Sequence, residues 1–274
     1  MLSRLLTFIC VGCCLLGSTI PAAADQPFIL LQSTTSTRNS GLYDYLLPMY
    51  QKFSGVAVRA VAVGTGQALA NARNGDADVL LVHARSAEEQ FVADGYGVRR
   101  FDLMYNDFVI VGSNTDPAQI RGLNRAAEAL QRIARANALF VSRGDDSGTH
   151  QKERALWQDA KVDAVAASGT WYLETGSGMG ATLNIAAGRS AYVLTDRATW
   201  ISFQNKQSFE ILVAGDPKLF NQYGVILVDP ERHPHVKAAL GQAFIDWLLS
   251  SAGQNAIAAF KVGGEQLFYP NATR

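Results

Sequence analysis

Val141-Ser142-Arg143-Gly144-Asp145-Asp146-Ser147-Gly148-Thr149-His150 is the end of a strand-like run leading into an arginine, two glycines and small hydroxyls where a helical pattern begins. Arg143 offers a planar donor fork that stays charged. Ser147, Gly148 and Thr149 would present unpaired backbone N–H groups at a helix start, where an anion is favoured. Two other junctions repeat the theme: Ser33-Thr34-Thr35-Ser36 after the apolar run Phe28–Leu31, and Gly64-Thr65-Gly66 after Val56–Val63. Three hydroxyl and glycine loops at strand-to-helix junctions, with one fixed cation among them, point to capture of a small oxyanion by hydrogen bonds. No machinery for transforming it is evident.

Working outward, β-branched apolar runs of strand length recur at Phe28–Leu31, Val56–Val63, Val79–Val82, Phe108–Val111, Leu139–Val141, Ala191–Leu194, Phe209–Val213 and Val225–Val228. Amphipathic stretches lie between them, at Leu42–Phe53, Ala68–Arg73, Ala87–Ala93, Ala126–Ala134 and Gln151–Trp157. This alternation predicts an α/β protein with largely parallel sheets. Pro48 predicts a kink or early end in the first helix. In open parallel sheets the ligand sits beyond the carboxyl ends of the strands, where all three loops fall. No linker interrupts the chain, as expected if two lobes are joined by structured crossing strands.

The first 24 residues read as a secretory signal peptide, with Arg4 before an apolar stretch and Ala22-Ala23-Ala24 as a small-residue cleavage site. The mature chain is expected to start at Asp25 and to be soluble and exported. Cys10, Cys13 and Cys14 all lie in that segment, so the mature chain has no thiol, disulfide or cysteine metal site. Cys13 or Cys14 as a lipidated residue lacks a leucine three places earlier. The 24 basic and 24 acidic residues of the whole chain become 23 against 24 without Arg4, a balance that gives no general attraction to nucleic acid or anionic lipid. Any anion must therefore be bound locally.

Each feature also has a plainer reading. Arg143 could be a surface arginine paired with Asp145 or Asp146. One hydroxyl of Ser33–Thr37 must cap a helix, and Asp146 could cap one or orient the arginine. Gly64-Thr65-Gly66 and Gly176-Ser177-Gly178-Met179-Gly180 are weak alone, and the latter lacks dinucleotide spacing. His83 ends a strand and reads as a buried structural histidine, outside the direct contacts. His150 raises a metal site, but four histidines scattered along a cysteine-free chain argue against it. Ser147 and His150 could hide a hydrolase of phosphate esters, although nothing would activate the serine.

The strings Ser33-Thr34-Thr35-Ser36-Thr37, Ser40-Gly41-Leu42, Val63-Gly64-Thr65-Gly66, Gly75 to His83, Met104 to Val109, Ser142 to Thr149, Gly178 to Leu183 and Ala191 to Thr199 together resemble the tungstate-binding proteins of ABC importers over nearly the whole mature chain. Ser33 stands where many of those proteins carry threonine. The resemblance implies a two-lobed type II periplasmic binding protein with a mainly parallel sheet in each lobe and the ligand in the cleft between them. By analogy, residues 25–107 and 229–274 form the first lobe and 108–228 the second, crossing strands included. The anion contacts it implies are Thr34, Thr35 and Ser36; Thr65 and Gly66; Arg143; Ser147, Gly148 and Thr149; and Gly178, Met179 and Gly180. It implies no cofactor, no metal and no catalysis, with a tungstate or molybdate ligand, a membrane permease as partner, a monomeric state and a periplasmic location. A receptor for phosphate or sulfate remains the alternative within the same fold. A phosphate-selective site needs an acceptor touching the anion, whereas here the third strand ends Leu81-Val82-His83.

Overall fold

The computed structural model describes residues 26–272; the expected signal peptide and its cleavage site lie outside them. Strands β1 (Phe28–Thr34), β2 (Ala57–Val63) and β3 (Val79–Val82) alternate with helices α1 (Thr35–Asn39), α2 (Leu42–Ser54), α3 (Thr65–Arg73) and α4 (Arg85–Ala93). The three strands are parallel, in the order β2-β1-β3. Helix α2 runs through Pro48 without ending. Pro48 is exposed, so the carbonyl it leaves unbonded on exposed Asp44 faces water, while Leu42, Tyr43, Leu46 and Tyr50 anchor the opposite face in the core.

The molecule is organised by β4 (Gly97–Ser113), a 17-residue strand. After it come α5 (Ala126–Arg135), β5 (Phe140–Ser142), α6 (Gly148–Asp159), β6 (Tyr172–Glu174), α7 (Met179–Arg189), β7 (Val193–Asp196), α8 (Arg197–Ser202), β8 (Phe209–Val213), β9 (Phe220–Val228), α9 (Ala238–Leu249) and α10 (Ser251–Ala259). The first half of β4 pairs with β9, from Gly97 to Asp107. Its second half pairs with β7 and β8, from Phe108 to Ser113. One strand thus belongs to two sheets, and the chain passes between lobes at Asp107–Phe108.

Side-chain alternation along strands divides the cores. On β4, Phe108 and Ile110 enter a core with Leu130, Phe140, Trp157 and Tyr172, while Val109 and Val111 enter another with Met179, Leu183 and Trp200. In the first lobe, Val79, Leu81, Val225 and Leu227 face Leu46, Tyr50, Phe244 and Trp247, whereas Leu80, Val82, Ile226 and Val228 face Leu69 and Phe91. The central strands are covered on both faces, so β3 and the stretches Phe108–Val111 and Val225–Val228 read as continuous apolar runs.

Two expectations are corrected. Parallel ladders join β1 to β2 and β3, and β5 to β6, with a parallel bridge from Phe140 to Tyr192, while β9 runs antiparallel to both β3 and β4, and β7 and β8 run antiparallel to β4. The reason is that the two crossings traverse the molecule in opposite directions and pair with each other. The second correction concerns the boundary at residue 228. Leu219 packs in the second lobe's core, but β9 lies between β3 and β4 and completes the first lobe's sheet from Phe220 onward. Without it, the buried edge of β3 would lack hydrogen-bond partners.

Candidate functional site

Four helices begin at the same place, and each start is built by its local sequence. At the end of β1, Thr34 is the N-cap of α1, accepting the N–H of Thr37 at 3.4 Å. Ser33 turns inward, donating to the Leu81 carbonyl at 2.6 Å and bonding Tyr43. Thr34 Oγ1 also meets Thr37 Oγ1 at 2.8 Å and Ser36 Oγ at 3.1 Å. The run of five hydroxyls therefore spends four, Ser33, Thr34, Ser36 and Thr37, on internal bonds. Thr35 Oγ1 is left buried with no partner among the described residues.

Gly64 precedes the first turn of α3 without a side-chain cap. The freed Thr65 Oγ1 accepts the backbone N–H of Gly148 at 3.1 Å, which ties α3 of the first lobe to α6 of the second. Gly148 suits this close approach, because a Cβ would stand 3.0 Å from Thr65 Oγ1 and 3.4 Å from the His83 ring. Gly66 lies close to Asp146, whose Oδ2 would be 3.3 Å from an added Cβ.

Between β5 and α6 the chain bends through Gly144 at φ +59 and Asp146 at φ +53. The left-handed bend suits glycine at 144, where a Cβ would also meet Glu174 at 2.8 Å. Ser147 caps α6, accepting the N–H of His150 at 3.3 Å. Arg143 is buried, 3% exposed, and not the surface arginine of the plainer reading. It does pair with Asp145, Nη2 to Oδ2 at 2.5 Å, but its Nε has no partner among the described residues. Thr149 Oγ1 is in the same condition.

The fourth helix, α7, starts at Gly178. A Cβ at Gly178 would lie 3.8 Å from Thr35 Oγ1, so its first turn abuts α1. Met179 is fully buried among Leu183 and Trp200, which leaves only its backbone for a ligand. Gly180 faces Asn39. The Arg143 carbonyl accepts from Ser177 N and Thr175 Oγ1, both at 3.3 Å, and so fixes the arginine against this loop.

His83 is a buried, hydrogen-bonded histidine, as the sequence reading has it, and it lies beside the site. Its Nδ1 lies 3.0 Å from Asn221 Oδ1 and its Nε2 lies 3.2 Å from Ser36 Oγ. Asn221 gives its amide hydrogens to Asn106 Oδ1 at 2.6 Å, so its oxygen faces the ring and Nδ1 carries the proton. Nε2 is then an acceptor, and the Ser36 hydroxyl donates to it. Burial pushes the imidazole down to about 4; the Asn221 bond opposes this and the nearby Arg143 charge reinforces it. The ring stacks on Tyr223 with centroids 4.7 Å apart. Asn106 and Asn221, polar positions where β4 and β9 cross between lobes, are a signal that sequence reading passed over.

Leaving a buried donor unpaired costs about 1–3 kcal/mol, so the three at Thr35, Arg143 and Thr149 mark a place completed by an acceptor from outside. Of the neighbouring carboxylates, Asp145 accepts from Arg143 and Ser147 N, and Asp146 Oδ1 accepts from Gln151 at 3.4 Å. The geometry therefore offers hydrogens to a ligand and engages Asp145, the carboxylate paired with Arg143. His150 Nδ1 accepts the N–H of Asp146 at 3.0 Å, and Ser147 Oγ faces the His150 backbone, so no Ser147–imidazole pair forms among the described residues. No cluster of three potential metal ligands occurs among the described residues. A cavity of about 670 Å³ against Trp157 and Tyr172 holds none of the four helix starts.

Two lobes, two crossing strands and a donor-lined site at the junction define a solute-binding protein. The chain belongs to the PBP superfamily, whose domain model matches residues 20–252. It is similar to the tungstate-binding protein TupA of Peptoclostridium acidaminophilum, at 45% identity over 250 residues, 90% of this chain and 86% of that one. Among solved structures it is similar to the tungstate-binding protein TupA of Desulfovibrio alaskensis G20, with 46% identity and a TM-score of 0.77 over 90% of this chain and 100% of that one. It is also similar to a structure described as the tungstate ABC transporter from Geobacter sulfurreducens, with 48% identity and a TM-score of 0.78 over 85% of this chain and 98% of that one.

Proposed function

We propose that this protein captures tungstate, and molybdate with it, between its lobes and delivers it to the membrane permease of an ABC importer. It would do so as a monomer in the periplasm, without chemical transformation of the anion. The observation that carries the reading is the set of three buried donors without partners, Thr35 Oγ1, Arg143 Nε and Thr149 Oγ1, within one junction of four helix starts. The backbone N–H groups of Thr65, Gly66, Thr149, Met179 and Gly180, in the first turns of their helices, suit the remaining oxygens of a tetrahedral dianion, while the Gly148 N–H is spent on Thr65 Oγ1. Thr34 and Ser147 support the ligand as caps, and Ser36 through its bond to His83.

Selectivity follows from the donors and acceptors. At neutral pH phosphate keeps a proton that needs an acceptor, and two acceptors beside the donors are occupied: Asp145 by Arg143 and Ser147, His83 Nε2 by Ser36. A fully deprotonated dianion meets no such conflict. The test is elemental mass spectrometry of protein purified after incubation with tungstate, molybdate, sulfate and phosphate together. Tungsten and molybdenum near one atom per chain are expected; phosphorus or sulfur in their place would overturn the reading.

A further inference from the structure

A second cavity, about 420 Å³, opens on the site from the side, since both His83 and Gly148 line it. Its walls come from both lobes and carry three cations, Arg85, Lys152 and Lys218, with no aspartate or glutamate. In a chain of 24 basic and 24 acidic residues such a one-sided lining is informative. Two of the three are neutralised at their outer ends. Arg85 pairs with Glu89 at 2.8 Å, and Lys218 pairs with Asp159 at 2.7 Å. Lys152 has no carboxylate within ion-pair distance among the described residues. Its Nζ donates to the Lys218 carbonyl at 3.1 Å and lies 5.9 Å from the centre of the Phe108 ring. It stands one helical turn beyond Gly148 on α6, so its charge is held at the edge of the oxyanion site.

Resting on the functional reading above, we propose that this cavity is the route by which the oxyanion reaches and leaves its site, and that Lys152 is the cation that draws it in. A half-buried charge that lines the approach and lies outside the donor set acts on the encounter more than on the bound state. Arg143 holds the anion; Lys152 recruits it.

The experiment is stopped-flow tryptophan fluorescence with tungstate at several ionic strengths, on the unsubstituted protein, Lys152→Gln and Lys152→Arg. Lys152→Gln is expected to slow association about two- to fivefold at low salt, with dissociation changed less than about twofold and with a weaker salt dependence. Lys152→Arg is expected to restore both the rate and its salt dependence. An association rate indifferent to Lys152→Gln, or a loss confined to dissociation, overturns the proposal while leaving tungstate binding intact. Absence of any binding by the unsubstituted protein overturns the functional reading, and this one with it.

Discussion

Arg143→Ala is the perturbation with the largest expected effect on ligand affinity. The guanidinium is 3% exposed, holds Asp145 through Nη2 and keeps Nε unpaired. Removing one partner of a desolvated charge pair costs about 2–5 kcal/mol, whereas a lost neutral hydroxyl donor costs nearer 1 kcal/mol. At about 1.4 kcal/mol per tenfold, Arg143→Ala should weaken tungstate binding roughly 30-fold to several thousandfold. The structure adds a second consequence, since truncation also strips Asp145 of its counter-ion beside a dianion. Asp145→Asn in the Arg143→Ala background should therefore recover about fivefold or more of the affinity, a non-additive result expected of touching residues. Arg143→Lys should recover only part, because a point charge cannot bond Asp145 and the ligand with one planar fork. Isothermal titration of the four proteins, with thermal melting of each ligand-free form to exclude misfolding, measures these effects. If Arg143→Ala binds within about threefold of the parent, the reasoning is refuted.

Thr35→Val should weaken tungstate about fivefold, as expected for one neutral donor, whereas Thr37→Val, whose hydroxyl serves Thr34, should act mainly on stability; titration and melting of both variants separate the two roles. Because the folded His83 is held near 4 and an unfolded histidine titrates near 6.5, its contribution is complete above the unfolded value and is lost as pH falls through the window between them. Between pH 7 and pH 5 this amounts to about 2 kcal/mol, opposed by buried Glu153, pushed up to about 7 by burial, so the clean measurement is denaturant unfolding of the parent against His83→Gln at both pH values. A His83→Gln variant with the same acid sensitivity as the parent would show that the imidazole is not buried neutral. Gly144→Ala should destabilise the protein by about 1–3 kcal/mol, since its φ of +59 and the 2.8 Å approach to Glu174 both oppose a side chain; an unchanged melting temperature would contradict the bend.

Much of the site was legible because its geometry is local. Hydroxyl and glycine loops at the ends of apolar runs announce helix starts, and the structure brings Thr35, Thr65, Arg143, Gly148, Thr149 and Gly178 together. What the sequence withheld depends on distant partners. His83 gains its place from Asn221, 138 residues away, and no spacing rule reveals that bond. The first half of β4, Gly97 to Asp107, carries Arg99, Arg100 and Asp102 and shows no apolar run, yet it is a strand because β9 pairs with it across more than a hundred residues. Helix α2 survives Pro48 because core contacts on its buried face outweigh one missing backbone bond on the exposed side.

A shell that gives hydrogens, with Asp145 and His83 Nε2 already engaged, should hold a fully deprotonated tetrahedral anion and reject a protonated one. The most direct test is competition calorimetry at pH 6, 7 and 8, titrating tungstate into the unsubstituted protein with and without excess phosphate. Tight binding with one ligand per chain, affinity nearly constant across the three pH values and no displacement by phosphate are predicted. Phosphate that competes on equal terms, or a tungstate affinity that changes steeply over this range, would contradict the account and would direct attention to Asp145 and Asp146 as acceptors within the site.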